Sequence, residues 1–153
     1  MFGTTNKSVN QYKTMSIETG VAAANPVQLI VMLYEGAIVA CRSAIPHIKN
    51  NDYAKKSEMI FKAIKIIQSG LRMSLDKQQG GQIAENLDAL YIYMTNLLIK
   101  ANIENRTELV EEVIKLLTEL CSAWEEISKR ELANQVRVAN LDNVNNVAYL
   151  EKA

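Results

Sequence analysis

Few side chains in this sequence could carry out covalent or metal chemistry, and their spacing does not bring them together. His47 is the only histidine, so a serine nucleophile or a pair of Glu-x-x-His metal ligands would lack a partner. Cys41 and Cys121 are not spaced as a zinc motif. The Gly80–Gly81 pair is followed by Gln82 and not by the Lys-Ser/Thr of a phosphate-binding loop. We therefore expect no enzyme, no cofactor and no metal site.

The composition argues against nucleic acid and membrane as partners. Seventeen basic and seventeen acidic residues cancel, which leaves no overall field that would attract an anionic polymer. The one basic cluster lacks interleaved aromatic residues, and we expect it to be a solvated face that pairs with the acidic fourth helix: Lys55, Lys56, Lys62 and Lys65. No signal-peptide segment and no apolar run long enough to span a membrane is evident. Reduced cysteines and a cytosolic location are expected.

The segment from Asn25 to Ile48 predicts a first helix that is more apolar than one core face requires. Asn25 can cap it, Pro26 suits its first position, and Pro46 should kink or end it near Ile45. At 100° per residue, one apolar stripe predicts the core face: Val27, Ile30, Leu33, Tyr34, Ala37, Cys41, Ala44, Ile45 and Ile48. A second stripe lies on another side: Leu29, Met32, Gly36, Val39 and Ala40.

Three more helices follow. The second begins after Asp52 and carries one stripe from Ile60 to Leu75, and DKQQGGQ predicts the loop that ends it. The third runs from about Gln82 to Asn102 and again has an additional apolar line, interrupted by Asn96 and formed by Ala89, Ile92, Ile99 and Ile103. The fourth follows a capping-box arrangement of Asn105 with Glu108 and has one apolar face.

Four helices of this length with short connections predict an all-α fold, an antiparallel four-helix bundle. We expect residues 1–24 to be a flexible N-terminal arm, residues 25–130 to be the bundle, and residues 131–153 to be a loose tail or a short fifth helix laid across it. The additional stripes have two explanations. They are either wide core faces covered by the arm or tail, or a groove for an amphipathic or disordered partner segment.

Several blocks of the sequence, taken in this order, resemble one family. They are VNQYKTMSIETGVAAANPVQL, LIVMLYEGA, KAIKIIQSGL, LDKQQGGQIAENLDALYIYMTNLLIKAN and LLTELCSAWEEI, and together they cover about residues 9–128. Each block alone is a weak signal, but the order and spacing are specific. The chain resembles the flagellar secretion chaperones of the FliS family, which hold flagellin before export.

The resemblance implies a function and a set of partners. A member of this family binds the C-terminal segment of flagellin, prevents premature polymerisation and keeps the subunit competent for type III export. It also implies docking to the export gate, and in some members binding of an anti-sigma factor or a translational regulator. Val9 and Tyr12 match arm residues that contact the client. The alternative is a helical adaptor that sequesters a flagellar regulatory protein.

The residues and the resemblance together give a hypothesis for the binding site. A client that folds on binding loses conformational entropy, so it needs apolar contacts spread over several anchors. The additional stripes could supply them, with Gly36 allowing another backbone to approach closely. The expected partner-binding residues, besides Val9 and Tyr12, are Leu29, Met32, Gly36, Val39, Ala40, Ile92, Asn96, Ile99 and Ile103.

Overall fold

The computed structural model describes residues 25–151, and within that range it contains helices and no strands. Val9, Tyr12 and the rest of the predicted arm lie outside the described residues. The elements are α1 (Pro26–Lys49), α2 (Tyr53–Lys65, continued by a π-helical segment Ile66–Leu71 and a 3-10 turn Arg72–Ser74), α3 (Lys77–Glu104) and α4 (Thr107–Glu151).

The start of α1 confirms the predicted cap. The Asn25 side chain accepts the backbone N–H of Gln28 at 2.8 Å, and the Gln28 side chain accepts the backbone N–H of Asn25 at 3.3 Å. These two bonds satisfy N–H groups that have no partner inside the helix. Pro26 occupies the first helical position, where a missing N–H is harmless.

The prediction that Pro46 ends α1 near Ile45 is wrong, because the helix continues to Lys49. Proline removes the N–H that would bond the carbonyl of Arg42. Arg42 and Pro46 are both exposed, so water can take the place of the lost donor. The helix ends where the N–H of Asn50 bonds the carbonyl of Pro46 at 3.0 Å.

The four helices form a closed ring, which confirms the predicted all-α bundle. Each helix packs against its neighbours in the chain and α1 also packs against α4, which leaves α1 and α3 on one diagonal. The short connections make consecutive helices antiparallel. The side chains with no exposure share the inward faces of all four helices: Tyr34, Ala37, Cys41, Ala44, Ile60, Ala63, Ile67, Met94, Leu98, Ala101, Val110, Val113 and Leu117.

A pair of tyrosines bridges the α1–α3 diagonal. The hydroxyls of Tyr34 and Tyr91 are hydrogen-bonded to each other, and their ring centroids are 6.4 Å apart. Both side chains are buried. Burial raises the pKa of each phenol, because the interior disfavours the phenolate.

Gly70 lies at a close approach between α1 and α2, and Gly36 lies at a looser contact between the same helices. A Cβ at Gly70 would lie 3.0 Å from Cδ2 of Leu33, and a Cβ at Gly36 would lie 3.5 Å from Cδ1 of Ile66. Gly70 belongs to the π-helical segment, where the backbone is wider than an α-helix. Because Gly36 lies against Ile66 of α2, the side of α1 that carries Gly36 faces α2.

The predicted loop DKQQGGQ is largely helical. Asp76 caps α3 by accepting the backbone N–H groups of Gln78 and Gln79, both at 3.1 Å, so the first turn begins at Lys77. The only break is Gly81, whose φ of 50° and ψ of −127° are accessible to glycine and strained for other residues. The loop prediction is thus wrong except at this residue.

The predicted capping box of Asn105 with Glu108 is also wrong. Asn105 ends α3 in a left-handed conformation (φ 53°) and its side chain accepts a hydrogen bond from Lys56 Nζ, while Glu108 pairs with Arg106 at 2.6 Å. Lys56 Nζ also donates to the carbonyl of Asn102 at 2.7 Å. Lys56 is therefore buried and ties α2 to the end of α3, and does not belong to a solvated lysine face.

The expected pairing between the lysines of α2 and the acidic side of α4 is not found among the described residues. The ion pairs of the described residues instead involve Asp52, Asp88 and Arg106.

The predicted tail or short fifth helix is instead the continuation of α4. The helix runs without interruption to Glu151, and residues 132–150 are all exposed. We call residues 132–151 the α4 extension; at 1.5 Å per residue it is about 30 Å long. The sequence suggested a boundary near Glu131 because core contacts end there, but a helix can continue without them.

The buried hydrogen bonds of Lys56 lead to a first testable prediction. Lys56→Met should lower the free energy of unfolding by about 1–3 kcal/mol, because it leaves the Asn102 carbonyl and the Asn105 side chain without their donor. Lys55→Met is the matched control, since the Lys55 side chain is 65% exposed and should change stability by less than about 0.5 kcal/mol. Urea unfolding measures the free energy of unfolding of the two variants. Equal losses would contradict a stabilising role for the buried Lys56 hydrogen bonds.

The tyrosine pair predicts a loss of stability in alkaline solution. The pKa of Tyr34 and Tyr91 is raised above the ordinary 10.0, so above about pH 10 the unfolded chain releases these protons while the folded protein retains them. Their contribution to stability is complete below about pH 10 and falls as the pH rises toward the raised pKa. Urea unfolding across this range should show the fall, and the double variant Tyr34→Phe/Tyr91→Phe should show less of it.

Candidate functional site

The first group of exposed apolar side chains lies on the side of α1 that borders α2. Met32 is 39% exposed and Val39 is 61% exposed, and they lie on one helix face because seven residues separate them. Gly36 lies between them, partly exposed, with Ile66 of α2 against it. We call Met32, Gly36 and Val39 the α1 strip.

Two members of the predicted α1 stripe are not exposed. Ala40 is only 2% exposed and belongs to the core cluster, and Leu29 is also buried. Both lie nearer the core side of the helix than Met32 and Val39 do, so the neighbouring helices cover them. The expectation of an exposed stripe therefore holds for Met32 and Val39 and is wrong for Leu29 and Ala40.

The second group lies on the outer side of α3. Ile92, Asn96, Ile99 and Ile103 are all exposed, and we call them the α3 strip. Two hydrogen bonds show that the adjoining side of α3 faces α2: Gln68 Nε2 donates to Thr95 Oγ1 at 2.7 Å, and Ser57 Oγ donates to Asn102 Oδ1 at 3.1 Å. The α3 strip therefore lies next to α2.

Sequence reasoning missed Phe61, which is 58% exposed on α2. It falls off the core stripe of Ile60, Ala63, Ile64 and Ile67, and its angle around the helix places it on the side that faces α3. A check for large apolar residues outside the single stripe of α2 could have found it. Phe61 extends the apolar surface of the α3 strip onto α2.

The two strips do not form one groove. The α1 strip borders one side of α2 and the α3 strip borders the other, so α2 separates them. The outer face of α2 between them carries exposed Lys62 and Lys65 together with exposed Glu58. A polypeptide that contacts both strips must pass across α2.

The described residues do not offer a reactive centre. Burial raises the pKa of the Cys41 thiol to about 12, and burial together with Glu125 raises that of Cys121 to about 11, so neither forms a thiolate at neutral pH. Within residues 25–151 no three His, Cys, Asp or Glu side chains are grouped to hold a metal ion. His47 Nδ1 lies 4.0 Å from Asp52 beside the α1–α2 turn.

Among residues 25–151, α1 is the one helix long and apolar enough to cross a membrane by length and composition, with a mean hydropathy of 1.5 over its most apolar window. In this structure it is a core helix whose inward face packs against α2 and α4. The core helix of a bundle meets the same criterion.

The described part of the chain is thus an all-α helical bundle that carries two exposed apolar strips. Comparison with known proteins identifies the family. The family model described as "Flagellar protein FliS" matches residues 8–131, and the chain belongs to this family.

Several curated relatives are similar over most of their length. The chain is 40% identical over 126 residues to the "Flagellar secretion chaperone FliS" of Salmonella typhimurium, covering 82% of this chain and 93% of the relative. It is 43% identical over 122 residues to "Flagellar secretion chaperone FliSB" of Pseudomonas aeruginosa, covering 80% and 96%. The Escherichia coli FliS is 37% identical over 120 residues. All three relatives are named as flagellar secretion chaperones, and none of these names indicates a catalytic activity.

The boundary between strip and core can be tested with two adjacent residues of α1. Val39→Asp should change the free energy of unfolding by less than about 0.5 kcal/mol, because the side chain faces solvent. Ala40→Asp should lower it by more than about 3 kcal/mol, because it buries an unpaired charge. Thermal or urea unfolding of the two variants gives the comparison, and similar losses would show that Val39 is also core.

Proposed function

We propose that this protein binds the C-terminal segment of flagellin in the cytosol, prevents its premature polymerisation and keeps it competent for flagellar type III export. The observation that carries the proposal is the pair of exposed apolar strips on a member of a family of flagellar secretion chaperones. Such strips are unfavourable in water and favour a partner that covers them.

The arrangement of the strips suits a long, flexible client better than a compact one. A folded protein with a flat surface would contact one side of α2 at a time. A segment that is disordered when free can place one apolar group on the α1 strip, cross the lysines of α2 and place another on the α3 strip. Met32 adds an adaptable side chain to such a contact.

The contacts proposed for the client follow the exposure of the strips. Met32 and Val39 on α1, with Ile92, Ile99 and Ile103 on α3, have apolar surface available to a partner. Gly36 and Asn96 lie among them and would meet the backbone of the client. Leu29 and Ala40 are buried, so in this proposal they pack under the α1 strip and do not contact the client.

Docking of the loaded complex to the export gate, and binding of an anti-sigma factor or a translational regulator, remain parts of the proposal that follow from family resemblance. The adaptor alternative predicts a regulatory protein on the same strips in place of flagellin. None of the described contacts favours a regulator over flagellin, so flagellin is the client to test first.

The test replaces one residue in each strip. Met32→Asp and Ile99→Asp should each weaken flagellin binding at least about tenfold, or about 1.4 kcal/mol, because a carboxylate would be buried against the client. Ile127→Asp is the control, because Ile127 on α4 is 42% exposed, as is Ile99, and lies on neither strip. Calorimetric titration measures binding, and thermal unfolding confirms that each variant is folded.

Flagellin binding that stays unchanged in folded Met32→Asp and Ile99→Asp would refute the strips as the client site. Absence of flagellin binding by the unaltered protein would refute the proposed function itself.

A further inference from the structure

The α4 extension projects past the end of the bundle where α1 and α3 begin, and all its side chains from 132 to 150 are exposed. It lies beyond residues 8–131, which match the family model. Between 132 and 150 it carries five asparagines and four valines. Both are weak helix formers, and an isolated helix of this length is marginal in water even with strong ones. A packed partner would therefore stabilise the extension as a helix.

One side of the extension is apolar along its whole length. At 100° per residue, six side chains fall within about 80° of one another around the helix axis. We call them the extension face: Leu132, Val136, Ala139, Asn143, Val147 and Leu150. Each of the last three follows one of the first three by eleven residues, which is three helical turns to within about 20°. The extension face is therefore straight, and a second helix can lie along all of it.

The extension face reads almost the same in both directions. From its first residue it is Leu, Val, Ala, and from its last it is Leu, Val, Asn. If two copies lie antiparallel with Leu132 opposite the partner's Leu150, then Val136 falls opposite the partner's Val147. Asn143 falls opposite the partner's Ala139, the smallest side chain of the face, which leaves room for its amide. A two-fold axis repeats each of these contacts, so the face is complementary to itself.

The charges of the extension also permit self-pairing. The charged residues between 132 and 150 are Arg137 and Asp142, which cancel, and both lie roughly 100° or more from the centre of the extension face. Two copies therefore meet without like charges between them, whereas a strongly basic or acidic partner would find no opposite charge on the face.

Asn140 lies at the edge of the extension face, close to where the two-fold axis of the antiparallel pair would pass. Its amide has both a donor and an acceptor, so the two copies of this side chain can hydrogen-bond each other across the axis. Asparagines at helix–helix contacts fix the register of the pair, because any other register buries them against apolar side chains. Asn140 and Asn143 thus favour the register set by the leucines.

The two bundles would not obstruct this pairing. In the antiparallel arrangement the bundles lie at opposite ends of about 27 Å of paired helix, since each extension ends beside the start of the other. Within each bundle α4 is diagonally across the ring from α2, and both apolar strips lie beside α2. The strips of the two bundles therefore stay open.

We propose that the α4 extension is a self-association element, through which two copies of this protein pair as antiparallel helices along the extension face. The contact covers about five helical turns, which is small for a stable interface, so the dimer forms reversibly as the concentration rises. The inference does not depend on the identity of the client.

Sedimentation velocity of the full-length protein tests the pairing. Between about 1 μM and about 1 mM, the range in which small interfaces associate, the sedimenting mass should rise from the 17.1 kDa of one chain toward twice that value. Val136→Asp should weaken association at least about tenfold, because the symmetric pair would bury two unpaired carboxylates. Val138→Asp is the matched control, since Val138 is also exposed but lies about 140° from the centre of the extension face, and it should associate like the unaltered protein. Thermal unfolding confirms that both variants keep the bundle.

Disulfide cross-linking tests the direction of the helices. Leu132→Cys and Leu150→Cys copies, mixed and oxidised, should form a linked dimer, because antiparallel helices place these positions opposite each other. Neither variant alone should cross-link, since its two cysteines would be about 27 Å apart, far beyond the reach of a disulfide. The native Cys41 and Cys121 are buried and should stay reduced.

The results separate self-pairing from other uses of the extension face. Dimers that Val136→Asp loses and Val138→Asp retains, with cross-links only in the mixture, would support the inference. A protein that stays monomeric throughout the concentration range, or equal association by the two variants, would overturn it. Cross-links within each single variant would show parallel helices and overturn the arrangement. If Val136→Asp instead weakens flagellin binding and flagellin dissociates the dimer, the face belongs to the client and the inference fails.

Discussion

The bundle depends on the burial of one side of α1. Tyr34, Ala37, Cys41 and Ala44 have no exposed surface, and the other three helices supply the atoms that cover them. Burying apolar side chains is the main favourable term in folding, so the most apolar helix turns one side fully into the bundle. α2 and α4 pack on its two sides, which leaves α3 across the core and brings Tyr91 to Tyr34.

This arrangement explains why apolar side chains remain at the surface. A helix in a ring of four has two neighbours, so it can cover its inward face and its two flanks but not its back. Met32 and Val39 lie just beyond the flank of α1 that α2 covers. The α3 strip lies just beyond the flank of α3 that α2 covers. The shape of a four-helix ring thus places α2 between the two apolar strips.

Polar contacts fix the position of α2 relative to α3, which apolar packing alone does not determine. Lys56 ties α2 to the last turn of α3, and Gln68 with Thr95 ties their middles. Arg72 pairs with Asp88 at 2.6 Å and holds the pKa of that carboxyl below its usual range. These bonds lie along the α2–α3 seam, from Lys56 near the start of α2 to Arg72 in the 3-10 turn that ends it. They hold the α3 strip and Phe61 in fixed positions relative to each other.

The sequence by itself determined the features that depend on local chemistry. The cap at Asn25, the inward face of α1 and the helical class of the chain follow from residue types and a 3.6-residue period, and the structure confirms them. Tertiary structure decided the rest, because periodicity gives an angle around each helix axis but does not say which neighbour covers it. Ala40 and Val39 are adjacent in the apolar pattern, yet one is core and the other exposed. The same reasoning applies to Lys56, whose burial depends on the end of α3, and to α4, whose continuation past Glu131 needs no core contact.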